Sequence, residues 1–163
     1  MNSDQSNTIA LPTELEIGGL MKKDLIKKVL DAGFKIERNT LDFIYQHNFP
    51  CAYQKKTLRL AYKTTVEMGL GEEPTYAEVK EWVMKNGALC DIDLALWLRL
   101  AYVDQPLAEW VAVMSEPVPE KHDHDPCTLH VINSKNDGNQ ISYCYFRPHH
   151  QMRAGRIFCY LEK

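Results

Sequence analysis

The sequence predicts an α+β fold, with N-terminal helices packed on a C-terminal antiparallel meander of about five strands. Three observations carry that expectation. Residues 20–87 hold apolar stripes at helical spacing. Residues 97–163 hold short apolar runs with period-two alternation. Clusters of Pro, Asp, Asn and Gly separate those runs. Helices first and strands afterwards is the order of an α+β chain. At 163 residues, 45% hydrophobic and 25% charged, the chain reads as one globular domain over 1–163. It has a flexible tail at 1–8, a helical part at 20–87 and a sheet part at 97–163. A chain of this size buries roughly two-thirds of its unfolded surface, so it needs neither disulfides nor metal to fold.

Residues 9–20 read as an extended, turn-rich opening, broken by Pro12 and by Gly18-Gly19. Residues 22–32 form a helix, with Leu25, Ile26, Val29 and Leu30 on one stripe and lysines opposite. Gly33 suits the left-handed position that ends it. Asn39 or Thr40 caps a second helix over 41–47, with Leu41, Ile44 and Tyr45 facing inward. Residues 54–68 are expected to be the longest helix, since Leu58, Ala61, Tyr62, Thr65 and Val66 share one helical face. Thr75 and Glu78 spell a capping box for a further helix, which Gly87 closes.

Residues 97–103 then alternate as a strand covered on both sides. The turn at Asp104-Gln105-Pro106 leads into a second strand near Trp110, so a hairpin over 98–114 forms the expected heart of the sheet. Residues 116–126 are polar and proline-rich, which implies an exposed loop. Strands follow at 127–132, 141–146 and 156–161. A tight turn at Asp137-Gly138 joins the first two, and a loop at 148–155 precedes the last.

Three segments resemble an uncharacterised family of small bacterial proteins. They are Leu11-Pro12 followed by Ile17-Gly18-Gly19-Leu20, the Leu89-Cys90 step, and an L-R-L-x-Y-x-D-Q-P segment running from Leu98 to Pro106. The resemblance spans roughly residues 10–117. It implies no reaction and no catalytic residue.

A net charge of −3 argues against a general nucleic-acid binder. The lysines assigned to the first helix face (Lys22, Lys23, Lys27, Lys28 and Lys35) and the basic residues Lys55, Lys56, Arg59 and Lys63 read as solvated faces. Five cysteines without C-x-x-C spacing point to a reducing cytoplasm. No signal peptide and no membrane span is expected.

Five of the six histidines fall within 122–150. If the loops at 116–126 and 147–155 share one end of the sheet, His122, His124, His149 and His150 could hold zinc or another transition metal. The plainer reading is a polar loop with surface histidines and no cofactor. Cys127 with His124, or Cys144 with His130, could pair thiol and base, but nothing marks an oxyanion site. Asp91, Asp93, Asp104 and Glu109 gather carboxylates near the expected strand ends, where caps and turns explain them equally well. A partner-binding face is expected at Trp97, Arg99, Asp104, Gln105, Trp110, Tyr143 and Tyr145, because a two-faced sheet can cover its helices with only one side. The functional expectation is therefore a non-enzymatic cytoplasmic protein that binds another protein. A metal-binding protein or metal-dependent enzyme built on the four histidines is the alternative.

Overall fold

A computed structural model describes residues 10–46, 48–121 and 126–163. The elements run β1 (Glu14–Ile17), α1 (Lys22–Asp31), β2 (Lys35–Ile36), α2 (Arg38–Ile44), β3 (Lys56–Thr64), α3 (Tyr76–Asn86), α4 (Leu94–Ala101), β4 (Trp110–Val113), β5 (Val118–Pro119), β6 (Pro126–Ser134), β7 (Gly138–Tyr145) and β8 (Ile157–Leu161). The class is α+β, but the sheet is not a five-stranded antiparallel meander. It is mixed, with the order β1-β3-β8-β4-β6-β7-β2 and β5 added beside β6. β4 and β8 pair in parallel, as do β2 and β7. The expected tail at 1–8 falls outside the described residues.

Local signals hold where one period dominates. α1 buries Leu25, Ile26 and Val29, and Gly33 follows at φ +86. α3 carries the expected capping box: the Thr75 hydroxyl accepts the Glu78 amide at 3.3 Å, and the Glu78 carboxylate accepts the Thr75 amide at 2.7 Å. β6 and β7 form the expected hairpin, closed at Ser134 opposite Gly138. At α2 the cap moves upstream. Glu37 accepts the amides of Asn39 and Thr40, which frees the Thr40 hydroxyl to accept the Tyr143 amide at 2.9 Å and tie α2 to β7.

Two elements exchange type. Residues 54–68 are not a helix: Lys56–Thr64 is β3, sandwiched between β1 and β8. Its Leu58, Leu60 and Tyr62 alternate toward the main core, so the helical stripe and the strand stripe coexist in the same residues. Residues 97–103 are not a strand, and there is no hairpin over 98–114. Leu94–Ala101 is α4, whose Leu94, Leu96 and Leu98 are fully buried. Burying one leucine contributes about 1.5–3 kcal/mol, so the favourable state was the one that buried all of them. The division into a helical and a sheet half fails with these exchanges. Residues 20–87 supply β2 and β3, and residues 97–163 supply the end of α4. The loop at 116–126 also holds β5.

The sheet is covered on both faces. Val111 and Val113 join α1, α2 and α4 in the larger core. The alternating Ala112 and Met114 join Tyr76, Val79 and Val83 of α3 in a second core with Phe146, Met152, Phe158 and Tyr160.

Candidate functional site

The L-R-L-x-Y-x-D-Q-P segment builds interior structure. Arg99 is 0% exposed, and its guanidinium donates to the Gln105 side-chain oxygen at 2.6 Å and to the Tyr102 carbonyl. It also lies 4.8 Å from the Phe34 ring centroid. The Gln105 amide group donates to the carbonyls of Glu109 and Val131, both at 3.0 Å. The Tyr102 hydroxyl donates to the Glu109 carboxylate at 2.9 Å. These bonds lock the end of α4 to β6 and to the turn before β4. Trp97 and Gln105 are buried like Arg99, so these three are core residues and cannot serve as a contact face. Asp104 is exposed. Trp110 is 39% exposed and points to the α3 side of the sheet.

Tyr143 and Tyr145 fall on the opposite face. They pair across from Leu129 and Cys127, beside α2. Their hydroxyls lie 3.3 Å apart, and Tyr143 packs 5.8 Å from Phe43. With α2 and the β5 strand they line a cleft of two adjoining lobes. One, of about 580 Å³, lies among Asp42, Tyr45, Gln46, Asn48, Pro119 and Lys121. The other, of about 470 Å³, shares Asp42, Gln46 and Lys121 and adds Asn39, Tyr143 and Tyr145. Tyr45 was expected inward but is 54% exposed, because the helix ends at Ile44 and Tyr45 caps it. The sequence showed Tyr143 and Tyr145 as candidates. It did not show Asn39 on α2 or Tyr45 and Gln46 just after it, an element that the Thr40–Tyr143 bond ties to β7.

The remaining candidates separate. His122 and His124 lie outside the described residues. His149 and His150 are adjacent, with ring centroids 5.3 Å apart, and His150 Nδ1 is 3.2 Å from the Tyr145 carbonyl. No group of three metal-ligating side chains converges among the described residues. Cys144 and His130 share a face on β7 and β6, two residues out of register, with Cys144 opposite Thr128 and His130 opposite Ser142. Burial pushes the Cys144 thiol up and, together with the charge on Arg156, pulls His130 down to about 3. Both shifts oppose a thiolate–imidazolium pair. The cysteines are all free thiols.

Asp93 is fully buried at the start of α4, where one carboxylate oxygen accepts the Ala52 amide at 2.8 Å and the other has no partner among the described residues. It does not cap α4, because its carboxylate is spent on the 50–55 segment. Burial raises its pKa, opposed by the Ala52 bond and the neighbouring Cys51 thiol. A raised folded-state pKa means the folded protein binds the proton more tightly than the unfolded chain does. Its stabilising contribution is full below the ordinary aspartate pKa and is lost as pH rises through the folded value. Asp93→Asn keeps the acceptor and removes the charge. The variant is expected to gain stability relative to wild type at pH 7 compared with pH 4, read from urea midpoints at both pH values. A wild-type advantage that grows toward pH 7 would contradict this.

The fold and its clefts define a mixed sheet, helix-covered on both faces, with a tyrosine-lined cleft on one side. No family model matches the chain, and no curated protein or solved structure matches it either.

Proposed function

We propose that the protein is a non-enzymatic module of the cytoplasm that binds a segment of another protein in the tyrosine-lined cleft. The observation that carries this reading is the cleft itself. Three tyrosines, the amides of Asn39, Gln46 and Asn48, and charges of both signs line its two lobes. Tyrosine offers large amphipathic contact area at low entropy cost, and hot spots of protein interfaces are enriched in it. A net charge of −3 favours protein over nucleic acid as partner. Five free thiols suit a reducing compartment. No helix among the described residues is long and apolar enough to cross a membrane, and no membrane partner is proposed.

Affinity purification from the native cell, with wild type beside Tyr45→Ser and Tyr145→Ala, tests the reading. A stoichiometric partner protein is expected with wild type, and its affinity should fall about thirtyfold or more in the variants if these tyrosines are hot spots. Equal recovery by the folded variants, or a wild type without any partner, would remove it.

A metal centre is the second reading. It is favoured by the proximity of His149 to His150 and by the bond from the Phe146 amide to the Pro126 carbonyl at 2.9 Å, which brings the start of their loop to the end of the sheet where β6 begins. Elemental analysis of untagged protein, with His149→Ala as comparison, decides it. Metal far below one ion per chain, or metal retained undiminished by the variant, would sink the reading.

A further inference from the structure

The starting ends of β4 and β8 lie side by side, because the strands are parallel neighbours with Val111 opposite Ile157. Trp110 and Arg156 stand one residue before that pair and share the face of Ala112 and Phe158. The Arg156 guanidinium lies 5.2 Å from the Trp110 ring centroid and 5.9 Å from that of Phe146. His130 lies among the same rings, 5.7 Å from Trp110 and 5.2 Å from Phe146. It is 1% exposed, and its Nε2 has no hydrogen-bond partner among the described residues.

Arg153 precedes Arg156 by one tight turn, which passes through Gly155 at φ +82 and is closed by the Arg156 amide on the Arg153 carbonyl at 3.4 Å. Both arginines, with Trp110 and Ala108, line a cavity of about 380 Å³. Ala108 is held at φ +66 in its wall, a conformation that residues with a side chain rarely adopt. Its amide donates to the Asn133 carbonyl at 2.7 Å, which holds that turn against β6.

Neither guanidinium pairs with a carboxylate among the described residues; the ion pairs there involve only lysines. Burial lowers the Arg156 pKa, the neighbouring Cys144 thiol opposes that shift, and the charge on Arg153 adds to it. A half-buried cation facing a second cation is unfavourable until an anion arrives.

We propose that this corner is a binding site for a small organic phosphate monoester. Two guanidiniums match its nearly double negative charge, whereas a single carboxylate would neutralise only one. The exposed part of Trp110 gives the carbon skeleton an apolar wall. The cavity volume fits a small molecule. The site lies on the opposite side of the sheet from the tyrosine cleft, so it stands or falls separately from the protein-binding reading.

The test is an NMR titration of the Trp110 indole N–H and the Arg156 Nε–H at constant ionic strength, with phenyl phosphate, inorganic phosphate and acetate as probes. Phenyl phosphate is expected to saturate with a Kd at or below about 1 mM. Inorganic phosphate should bind more weakly, and acetate should track the chloride control. Arg153→Gln, an exposed substitution that leaves the fold intact, should weaken phenyl phosphate about tenfold or more. Arg156→Gln should abolish binding, and Tyr45→Ser should leave it unchanged. Non-saturating shifts, or unchanged affinity in Arg153→Gln, would overturn the proposal. Inorganic phosphate binding as tightly as phenyl phosphate would replace the monoester with the free ion. Acetate binding as tightly would replace it with an acidic protein segment.

Discussion

Arg99→Ala is expected to destabilise the protein by about 3–5 kcal/mol. The substitution empties the space of a fully buried side chain. It also strips the donor from three acceptors at once: the Gln105 side-chain oxygen and the carbonyls of Tyr102 and Ile132. Each buried acceptor left without a donor costs about 1–3 kcal/mol, less whatever relaxation recovers. The stacking on Phe34 is lost as well. Arg99→Lys keeps a charge but cannot fork between Gln105 and Tyr102, so an intermediate loss of about 1–3 kcal/mol is expected. Urea unfolding followed by circular dichroism measures both. A loss below about 1 kcal/mol for the alanine variant would mean that neither the network nor the packing of Arg99 holds the fold.

Gly18→Ala is expected to cost about 3 kcal/mol or more, because conformational strain and a backbone clash add at one position. Gly18 sits at φ +89, and a Cβ there would lie 2.0 Å from the Gln54 carbonyl oxygen. That oxygen belongs to a chain segment held from several sides. The Gly19 amide bonds the Tyr53 carbonyl at 2.9 Å, Asp93 holds the Ala52 amide, and Lys56 pairs with Asp91 at 2.7 Å. The neighbour therefore cannot give way cheaply. Gly138→Ala is the control. Gly138 has φ +71 with nothing within 4 Å of the added carbon, so its loss should stay near 1–2 kcal/mol, the strain alone. Equal losses at both glycines in thermal or urea unfolding would show that the close approach to Gln54 is not what Gly18 serves.

The resemblance segments gain a physical meaning from these two positions. Ile17-Gly18-Gly19-Leu20 lets two stretches of backbone approach closely, and Leu98 to Pro106 supplies the buried arginine and glutamine that join α4 to the sheet. Both are structural devices. Arg99 and Gln105 looked like surface candidates because a charged or amide side chain is ordinarily solvated. Only the packing of α4 against β6 reveals that they are satisfied inside. Tyr143 and Tyr145 were legible as candidates from their alternation along β7. The cleft they line needed α2 opposite them, and nothing local in residues 38–46 announces that placement.

By itself the sequence determined the α+β class, α1, the capping box of α3, the β6–β7 hairpin and β8. In each of these a single period or a specific turn residue leaves no competing local state. The tertiary structure alone decided β3 and α4. Residues 56–64 carry helical and alternating stripes together, and residues 94–101 are apolar everywhere except Arg99, so neither period excludes the other. Strand partners on both edges chose the first, and a site among α1, β1, β6 and β7 that buries Leu94 through Arg99 chose the second. The parallel pairing of β4 with β8 was equally out of local reach, since the strands are separated by more than 40 residues and nothing in either names its neighbour. That pairing is what sets Trp110 beside Arg156.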